Sequence, residues 1–336
     1  MARYPRIYIN LDRVKHNTRV ISGRCAELGI SVVAVTKSIL GNLRVAEAIA
    51  KSGIGMFADS RLPNLEKLGK KFKRNQLMQL RTPMLSEVGR MVRTCGISME
   101  TEIEAVKRIE KVCQRINKSH RIIIMLDIDD EREGLLPRQV LPFCRKVTKT
   151  CKWVEIYGLG TNARCISESE PKKSSLYALI NAANVLKREL GIKVKVLSGG
   201  NSSLWNLIVA KKMPAGINQV RIGEAIFLGH ETVGYRHIEG ASQDCFVLEA
   251  EVIESKEGTK KAILGLGLQD TGAGKIRPKN KGIKVLGQSS DHTIISWDKE
   301  SGETFLVGDK ISFNIDYFGL LSCMTSPFVE KVYIED

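Results

Sequence analysis

The hydrophobic and polar positions of the chain follow one pattern up to about residue 228 and another after it. In the first part, short apolar runs alternate with charged, amphipathic stretches. Each run is rich in Ile, Val or Leu and ends near a small or polar residue, which is typical of a buried β-strand. The eight predicted strands are Ser31–Thr36, Gly55–Asp59, Leu77–Thr82, Ile97–Glu100, Arg121–Ile128, Val154–Thr161, Val194–Ser198 and Gln219–Gly223.

Helical stretches separate these runs. Leu43–Ser52 and Ser175–Leu190 repeat apolar residues at helical spacing, as a helix does when one face is buried. Eight strands alternating with helices predict a fold of the α/β class, a (β/α)8 barrel rather than an open sheet. We assign residues 11–229 to this barrel domain.

The second pattern lacks long helical stretches. Strand-like segments separated by Gly, Asp and Lys turns predict a smaller all-β domain over residues 230–336. The opening strand, Arg6–Asn10, is expected to join this second domain, together with the rest of residues 1–10. The other predicted strands of this domain are Cys245–Glu254, Lys260–Leu266, Lys284–Leu286, His292–Trp297 and Asp309–Asn314.

Composition narrows the classes of protein to consider. With 336 residues, 43% of them hydrophobic, the chain can bury a large core. No apolar run is long enough to cross a bilayer, and the first residues lack the apolar segment of a signal peptide, so we expect no membrane association. The eight Cys form no CxxC pair and only five His are present, so we expect reduced thiols, no metal site and a cytoplasmic location.

The formal net charge of +15 is the unusual feature of the composition. A nucleic-acid-binding surface would combine a basic block with aromatic residues. Here Lys and Arg are spread in short runs such as Lys70–Arg74, and aromatic residues make up only 6% of the chain. A solvated basic surface without nucleic-acid binding is therefore the favoured interpretation, and an anionic partner is the alternative.

Chemistry in a (β/α)8 barrel lies at the C-terminal ends of the strands. The first predicted barrel strand is followed directly by Lys37. A lysine at that place is either an ordinary residue of the barrel rim or a desolvated amine suited to Schiff-base formation.

The last two barrel strands end in features that suit an anion. The turn Ser198–Ser203 (SGGNSS) opens a helical stretch, and its backbone N–H groups could face a phosphate. In the eighth strand Arg221 points away from the face that carries Val220 and Ile222, and Gly223 follows. A tight turn and a salt-bridged structural arginine are the plainer alternatives.

Taken in order and at these spacings, the Lys37 strand, the SGGNSS turn and QVRIGEAIFLG (219–229) resemble the alanine racemase superfamily of pyridoxal phosphate (PLP) enzymes. The segments TNARC (161–165), MPAGINQVRIGEAIFLG (213–229), SSDH (289–292) and MTSPFVEK (324–331) resemble its ornithine racemase branch. The resemblance covers essentially the whole chain. It implies a PLP-dependent amino-acid racemase that acts as a head-to-tail homodimer.

The resemblance assigns roles around the cofactor. Lys37 would hold PLP as a Schiff base and move a proton at the substrate Cα. Ser202 and the amides of Gly223 and Glu224 would hold the phosphate. Arg221 would contact the pyridine nitrogen, where a permanently charged guanidinium disfavours protonation of the ring and limits side reactions.

Two further positions follow from the same resemblance. Asn162 falls where alanine racemases place a His near the cofactor ring. Arg132 falls where they place an Arg near the cofactor hydroxyl and the substrate carboxylate; a surface salt bridge is the alternative for this residue.

The chain departs from alanine racemases at several positions. Their second base, a Tyr from the partner's β domain, falls on Leu268, which cannot move a proton. Met125 replaces a lysine of the family, and Gly41 and Pro327 fall near its phosphate-binding tyrosines. The candidates for the second base are Asp270, Asp291, His292 and Cys323.

Ornithine or a related diamino acid, the substrate that the resemblance implies, would need a carboxylate for its distal ammonium group. Asp270, Asp291, Asp129 and Asp130 are available, and the sequence does not choose among them. Asp291 and His292 would point to opposite faces if their segment were extended.

Three other functions compete with a racemase. A PLP carrier would need only the barrel, so residues 229–336 argue against it. A decarboxylase of the same fold would carry a further glycine in the strand-seven turn and an acidic motif near the C-terminus, which this chain lacks. A metal-dependent aldolase or dehydratase would need clustered ligands, whereas His292 and Cys323 are far apart in sequence.

Overall fold

The computed structural model describes residues 3–128, 131–163, 171–298 and 304–335. The chain begins with strand β1 (Arg6–Asn10), and the side chain of Asn10 caps the first helix by accepting a hydrogen bond from the Arg13 amide at 2.9 Å. The next eight strands are β2 (Ser31–Val35), β3 (Phe57–Asp59), β4 (Leu77–Gln79), β5 (Ile97–Glu100), β6 (His120–Leu126), β7 (Val154–Thr161), β8 (Val196–Ser198) and β9 (Gln219–Ile222).

Strands β2 to β9 pair in parallel and close into a barrel, with β9 hydrogen-bonded back to β2. The predicted (β/α)8 barrel is therefore confirmed, although several strands end one to three residues earlier than the apolar runs suggest. The helices of this part are α1 (Leu11–Ala26), α2 (Leu43–Ala50), α3 (Leu62–Leu68), α4 (Val88–Thr94), α5 (Ile103–Ile116), α6 (Pro137–Thr150), α7 (Lys173–Leu190), α8 (Trp205–Val209) and α9 (Glu224–Leu228).

Side chains, not a channel, fill the centre of the barrel. Alternate residues of each strand face inward, and the inward ones form a cluster separate from the larger core between strands and helices. This inner cluster comprises Val33, Ala58, Met78, Ile97, Met99, Ile123, Met125 and Val196. The cluster closes the lower barrel, so that polar side chains further along the strands face the open mouth.

The remainder of the chain forms an antiparallel sheet in the order β12–β15–β10–β11–β14–β13. Strand β1 pairs antiparallel with β10 and parallel with β16, so the amino-terminal strand lies in this second sheet. The elements are β10 (Phe246–Lys256), β11 (Lys261–Leu264), α10 (Leu268–Thr271), β12 (Ile276–Pro278), β13 (Ile283–Gln288), β14 (Thr293–Trp297), β15 (Lys310–Ile315), α11 (Tyr317–Thr325) and β16 (Glu330–Ile334).

Helix α11 is not indicated by the strand-like pattern of this domain, and neither are α10, β12 and β16. Asp316 caps α11 by accepting a hydrogen bond from the Gly319 amide at 2.8 Å, and Leu320 and Cys323 are fully buried. The helix packs beside the short turn Lys37–Ile39 at the end of β2. The second domain thus contacts the segment that carries the predicted Schiff-base lysine.

No helix within the described residues is both long enough and apolar enough to span a membrane.

Candidate active site

Lys37 lies where β2 ends, at the start of a 3₁₀ turn. Val33 belongs to the inner cluster of the barrel, and Val35 packs against it. Because inward positions alternate along a strand, Lys37 continues the inward series two residues beyond Val35. The residue is half-buried. Its place at the barrel mouth agrees with what the sequence predicts.

A buried carboxylate that sequence reasoning missed anchors the Lys37 turn. Asp59, at the end of β3, is fully buried and accepts hydrogen bonds from the Thr36 hydroxyl (2.7 Å), the Arg61 amide (2.9 Å) and the Asn64 side-chain amide (3.2 Å). Burial raises the pKa of Asp59, while these three donors and the charge of Lys37 oppose the rise. Asp59 therefore fixes Thr36, the residue before Lys37. An acidic residue that ends a barrel strand was the available signal.

Gly41 closes the same turn. Its φ of +62° lies in the left-handed region, and a Cβ there would be 2.7 Å from the backbone oxygen of Asn64. The position that falls near a phosphate-binding tyrosine of alanine racemases therefore has no space for a side chain here.

Arg221 crosses the barrel mouth and is fixed by the neighbouring strands. It is 5% exposed, and its guanidinium donates to the Ser198 hydroxyl at 2.6 Å and to the Thr161 carbonyl at 2.7 Å. A longer contact of 3.5 Å reaches Oδ1 of Asn162. The structure thus brings two predicted cofactor residues, Arg221 and Asn162, together; the bond from Arg221 to Ser198, the first residue of the SGGNSS turn, was not predicted.

The two predicted phosphate-binding segments meet beside each other. The Ala225 amide donates to the Ser202 hydroxyl at 3.5 Å, and the neighbouring Ser203 hydroxyl is buried with no hydrogen-bond partner among the described residues. A Cβ on Gly223 would lie 2.5 Å from the backbone oxygen of Val35, so only glycine fits there. Two serine hydroxyls beside a turn kept free of side chains form a cradle that suits an anion.

Glu224 contributes a negative charge to this region. Its Oε1 lies 3.1 Å from Nε2 of His230, and both side chains are mostly buried. The carboxylate is thereby paired outside the turn, while the amide of the same residue begins helix α9.

Arg132 lies on the exposed surface of the loop after β6, 2.7 Å from the carboxylate of Glu133. Its role toward cofactor and substrate stays a prediction. Asp129 and Asp130, and Arg164 and Cys165 of the TNARC motif, lie outside the described residues.

Two candidates for the second base are buried in the β domain. Asp270 is 6% exposed and accepts hydrogen bonds from the Gly267 amide (3.2 Å) and the Ser326 hydroxyl (3.1 Å), so it caps α10 from within. Cys323 is fully buried, and burial raises the pKa of its thiol to about 12, which leaves little thiolate near neutral pH.

The other two candidates lie on an exposed rim formed by the turn 289–292 and the start of α10. The Leu268 amide donates to the Ser289 carbonyl at 2.9 Å, so Leu268 lies beside Asp291 and His292. Because this segment turns and is not extended, the two side chains do not point to opposite faces: Nδ1 of His292 lies 3.0 Å from Oδ1 of Asp291. The side chain of His292 is 46% exposed and that of Asp291 is 63% exposed.

A search of the described residues for three or more His, Cys, Asp or Glu side chains placed to hold a metal ion finds no such group.

Comparison with known proteins identifies the family. Residues 9–231 match the family described as alanine racemase, N-terminal domain. A lysine racemase of Thermotoga maritima is 34% identical, with 98% of each chain covered. An ornithine racemase of Acetoanaerobium sticklandii is also 34% identical, over 98% of this chain and 99% of the relative.

Solved structures agree on the fold. A D-threo-3-hydroxyaspartate dehydratase variant superposes with a TM-score of 0.80 at 17% identity, covering 99% of this chain and 92% of the other. An alanine racemase of Clostridium difficile superposes with a TM-score of 0.77 at 18% identity, covering 100% and 97%. The family match spans the whole barrel, and the two curated relatives match nearly end to end, second sheet included. The chain therefore belongs to the alanine racemase family.

Proposed function

We propose that this chain interconverts the L and D forms of ornithine or a related diamino acid such as lysine, with PLP held on Lys37. Membership of the amino-acid racemases, which are isomerases, follows from two full-length relatives of that class. Both relatives are named for diamino acids, and this supports the choice of substrate. A PLP carrier is not favoured, because the match extends through the β domain.

The residues at the barrel mouth fit PLP. Lys37 offers an amine on the inner face, and Arg221 offers a guanidinium fixed by Ser198 and Thr161. The unpartnered hydroxyl of Ser203, with Ser202 and the bare turn at Gly223, suits the phosphate. When bound, PLP supplies the electron sink that acidifies the Cα–H bond of an amino acid.

In this proposal, Lys37 transfers the Cα proton on one face of the substrate. The turn fixed by Asp59 limits where the amine can lie, because Thr36, directly before Lys37, is held by a buried carboxylate. A positioned amine removes a proton at Cα or returns one to it, depending on which enantiomer is bound. A guanidinium stays charged at working pH values, so Arg221 would disfavour protonation of the PLP ring nitrogen when it holds that atom.

For the opposite face we propose His292, positioned by Asp291, from a second copy of the chain. Nδ1 of His292 is held by Asp291, whereas Nε2 has no hydrogen-bond partner among the described residues. An imidazole oriented by a carboxylate is a common general base. Leu268, at the position of the missing tyrosine, lies on the same exposed rim, which supports a head-to-tail dimer that brings the rim to a neighbouring barrel mouth.

The single observation that carries the proposal is Lys37 on the inner face of the barrel, after a strand paired with the one that carries a fixed Arg221, in a chain 34% identical to two amino-acid racemases. We also expect the protein to work in the cytoplasm. The seven described cysteines are free, and all of them are buried.

The first test is α-proton exchange. The purified protein with added PLP is incubated in D2O with L-ornithine, L-lysine, L-arginine or L-alanine, and proton NMR and a chiral assay follow the same samples. We expect loss of the α signal and appearance of the D form, fastest with ornithine or lysine. Lys37→Ala should abolish both exchange and the visible absorbance of bound PLP, and the exposed control Lys51→Ala should retain them. Bound PLP with no exchange on any substrate would refute the racemase.

A mixing experiment tests the second base and the dimer together. Lys37→Ala and His292→Asn are each expected to be inactive as homodimers. Dissociated and reassociated as a mixture, they should regain about a quarter of wild-type activity, because half of the dimers are mixed and each of these has one complete site (an estimate from random pairing). Activity that stays absent in demonstrably mixed dimers would exclude a base from the partner.

A further inference from the structure

A groove on the outer wall of the barrel, between α4 and α5, is lined on several sides by positive charge. It encloses about 160 Å³ and is bordered by Arg93 of α4 and by Arg108, Lys111 and Arg115 of α5. Among the described residues, Ser86 and Gly89 also line it, and no acidic side chain does.

The sequence of α5 dictates this row of charges. Residues 108, 111 and 115 are separated by three and four positions, so they share one face of the helix. The buried face carries Ala105, Ile109 and Val112 instead. At 1.5 Å per residue, the row from Arg108 to Arg115 is about 10 Å long.

Like charges at this spacing repel each other, at a cost of a few tenths of a kcal/mol per pair in an isolated helix. Neighbouring carboxylates relieve this repulsion only in part, because their hydrogen bonds go to other groups; the charge of Glu104 also acts on Lys111. Glu104 pairs with Lys107 at 2.7 Å, and Glu66 pairs with Arg90. Glu110 accepts hydrogen bonds from three consecutive backbone amides, those of Lys152, Trp153 and Val154.

Within the described residues, none of the four cationic side chains that line the groove forms an ion pair, and all four are exposed. Arg93 uses one guanidinium nitrogen to donate to the Gly89 carbonyl at 2.8 Å. Three arginines and a lysine around one small groove thus leave several charged donors without a counterion.

We propose that this groove binds a small polyanion with two or more phosphoryl groups, such as a nucleoside triphosphate or a short inorganic polyphosphate. Guanidinium groups bind phosphoryl oxygens through paired, charge-assisted hydrogen bonds. A volume of about 160 Å³ is small for a drug-sized ligand and suits a phosphate chain along the row. The groove has no aromatic lining residue on which a base could stack, which disfavours single-stranded nucleic acid.

The groove is separate from the barrel mouth. Its residues lie on the outer faces of α4 and α5, whereas the strands before these helices direct Met78 and Met99 into the barrel interior. Binding in the groove is therefore independent of the proposed racemase reaction, and either proposal can fail without the other. The four basic residues of the groove contribute part of the formal net charge of +15, and the proposal gives that part a role.

Calorimetric titration of the full chain with sodium tripolyphosphate at 0.15 M salt tests the proposal. The double variant Arg108→Glu/Arg115→Glu should weaken binding at least tenfold. The matched control, Arg19→Glu/Lys51→Glu, makes the same change in net charge at exposed positions in α1 and directly after α2, and should bind like the wild type. Circular dichroism checks that both variants are folded.

Parallel titrations with ATP and with a short single-stranded RNA identify the source of the anion. Equal affinity for ATP and tripolyphosphate supports a site for the phosphate chain alone, and tighter ATP binding supports a nucleotide. The proposal is overturned if tripolyphosphate does not bind or if both double variants lose affinity equally, because bulk charge would then explain the binding. RNA that binds more tightly through the same two arginines would also overturn it.

Discussion

Gly223 directly follows β9, one of the two strands that close the barrel, and packs against the other, β2. Its backbone lies against Val35, two residues before Lys37, so the predicted phosphate turn and the predicted Schiff-base lysine share one packing contact. A side chain at residue 223 would separate them. At the scale of single residues, the candidate site needs a position without a side chain as well as residues with reactive side chains.

We therefore expect Gly223→Ala to be harmful in two ways. The new Cβ would be 2.5 Å from the Val35 oxygen, and forcing an extra carbon into a packed backbone contact typically costs about 1–3 kcal/mol. PLP affinity should fall at least tenfold, measured by fluorescence titration, and thermal unfolding should shift down. Gly258→Ala is the control, since a Cβ there meets nothing within 4 Å. Unchanged PLP affinity in Gly223→Ala would contradict a phosphate site at this turn.

Glu100, at the end of β5, is a buried carboxyl group that has no part in the proposed chemistry. It is fully buried and accepts a hydrogen bond from the Ser98 hydroxyl. The same hydroxyl lies 2.9 Å from Nε2 of His120. On the other side of its ring, His120 accepts a hydrogen bond at Nδ1 from the Arg74 guanidinium at 3.2 Å. Burial raises the pKa of Glu100 to about 8 and lowers the pKa of His120 to about 3. Both groups are therefore neutral in the fold at neutral pH.

These shifts predict how stability depends on pH. The pKa of Glu100 is about 8 when folded and 4.5 when exposed, so the folded state holds the extra proton and stability falls as pH rises between them. His120 has the opposite effect from pH 3 to 6.5. Between pH 6.5 and 8 only Glu100 of the two contributes, and we expect the free energy of unfolding to fall by roughly 2 kcal/mol, from about 1.4 kcal/mol per pH unit. Urea unfolding at several pH values measures this fall. Glu100→Gln should remove the slope, and an equal slope in this variant would refute the assignment.

At the scale of elements, α10 and the turn before β14 show how the β domain builds its exposed rim. Backbone hydrogen bonds join Leu268 to Ser289 and Gln269 to Ser290. Asp270 caps α10 from inside the domain, whereas Asp291 and His292 project from the turn. Asp270 and Asp291 thus have different surroundings, one inside the domain and one on its rim.

The two aspartates should accordingly respond differently to substitution. Asp270→Ala removes an acceptor for the Gly267 amide and the Ser326 hydroxyl and should cost about 1–3 kcal/mol of the free energy of unfolding. Asp291→Ala should leave stability unchanged and slow α-proton exchange from one enantiomer. Urea unfolding and exchange in D2O separate the two effects. A fully stable Asp270→Ala protein that has lost exchange would make Asp270 the better candidate for the base.

At the scale of the whole molecule, the first strand ties the two ends of the chain together. β1 is hydrogen-bonded to β10 on one side and to β16 on the other, and Ile7 and Ile9 are fully buried. Helix α1 follows without a linker and packs on the barrel. The two domains are thus connected both by this strand and through helix α11 beside the Lys37 turn.

Deletion of residues 1–9 should loosen the β domain more than the barrel. The deletion exposes one edge each of β10 and β16 and removes two buried isoleucines, worth roughly 3–6 kcal/mol together. Hydrogen exchange followed by mass spectrometry should show lost protection in residues 246–334 and retained protection in β2–β9. Asn10, which caps α1, stays in place. Unchanged protection of β10 and β16 would contradict this role for the strand.

The sequence by itself determined the barrel, the second sheet and the positions of Lys37 and Arg221. These are consequences of local periodicity: alternate residues of a strand face opposite sides, and residues that end barrel strands lie at the mouth. The family resemblance added the proposed roles of Asn162 and Arg132, which no local pattern specifies.

Only the tertiary structure decided which groups surround those residues. Asp59 under the Lys37 turn and Ser198 against Arg221 come from separate strands, and no spacing along the chain encodes such contacts. Helix α11 escaped the strand pattern because its short apolar sequence fits a strand as well as a helix. The pairing of Asp291 with His292 depended on a turn where alternation would have separated them. Periodicity determines which side of its helix or strand a residue faces, whereas the residues that it contacts depend on how distant elements pack.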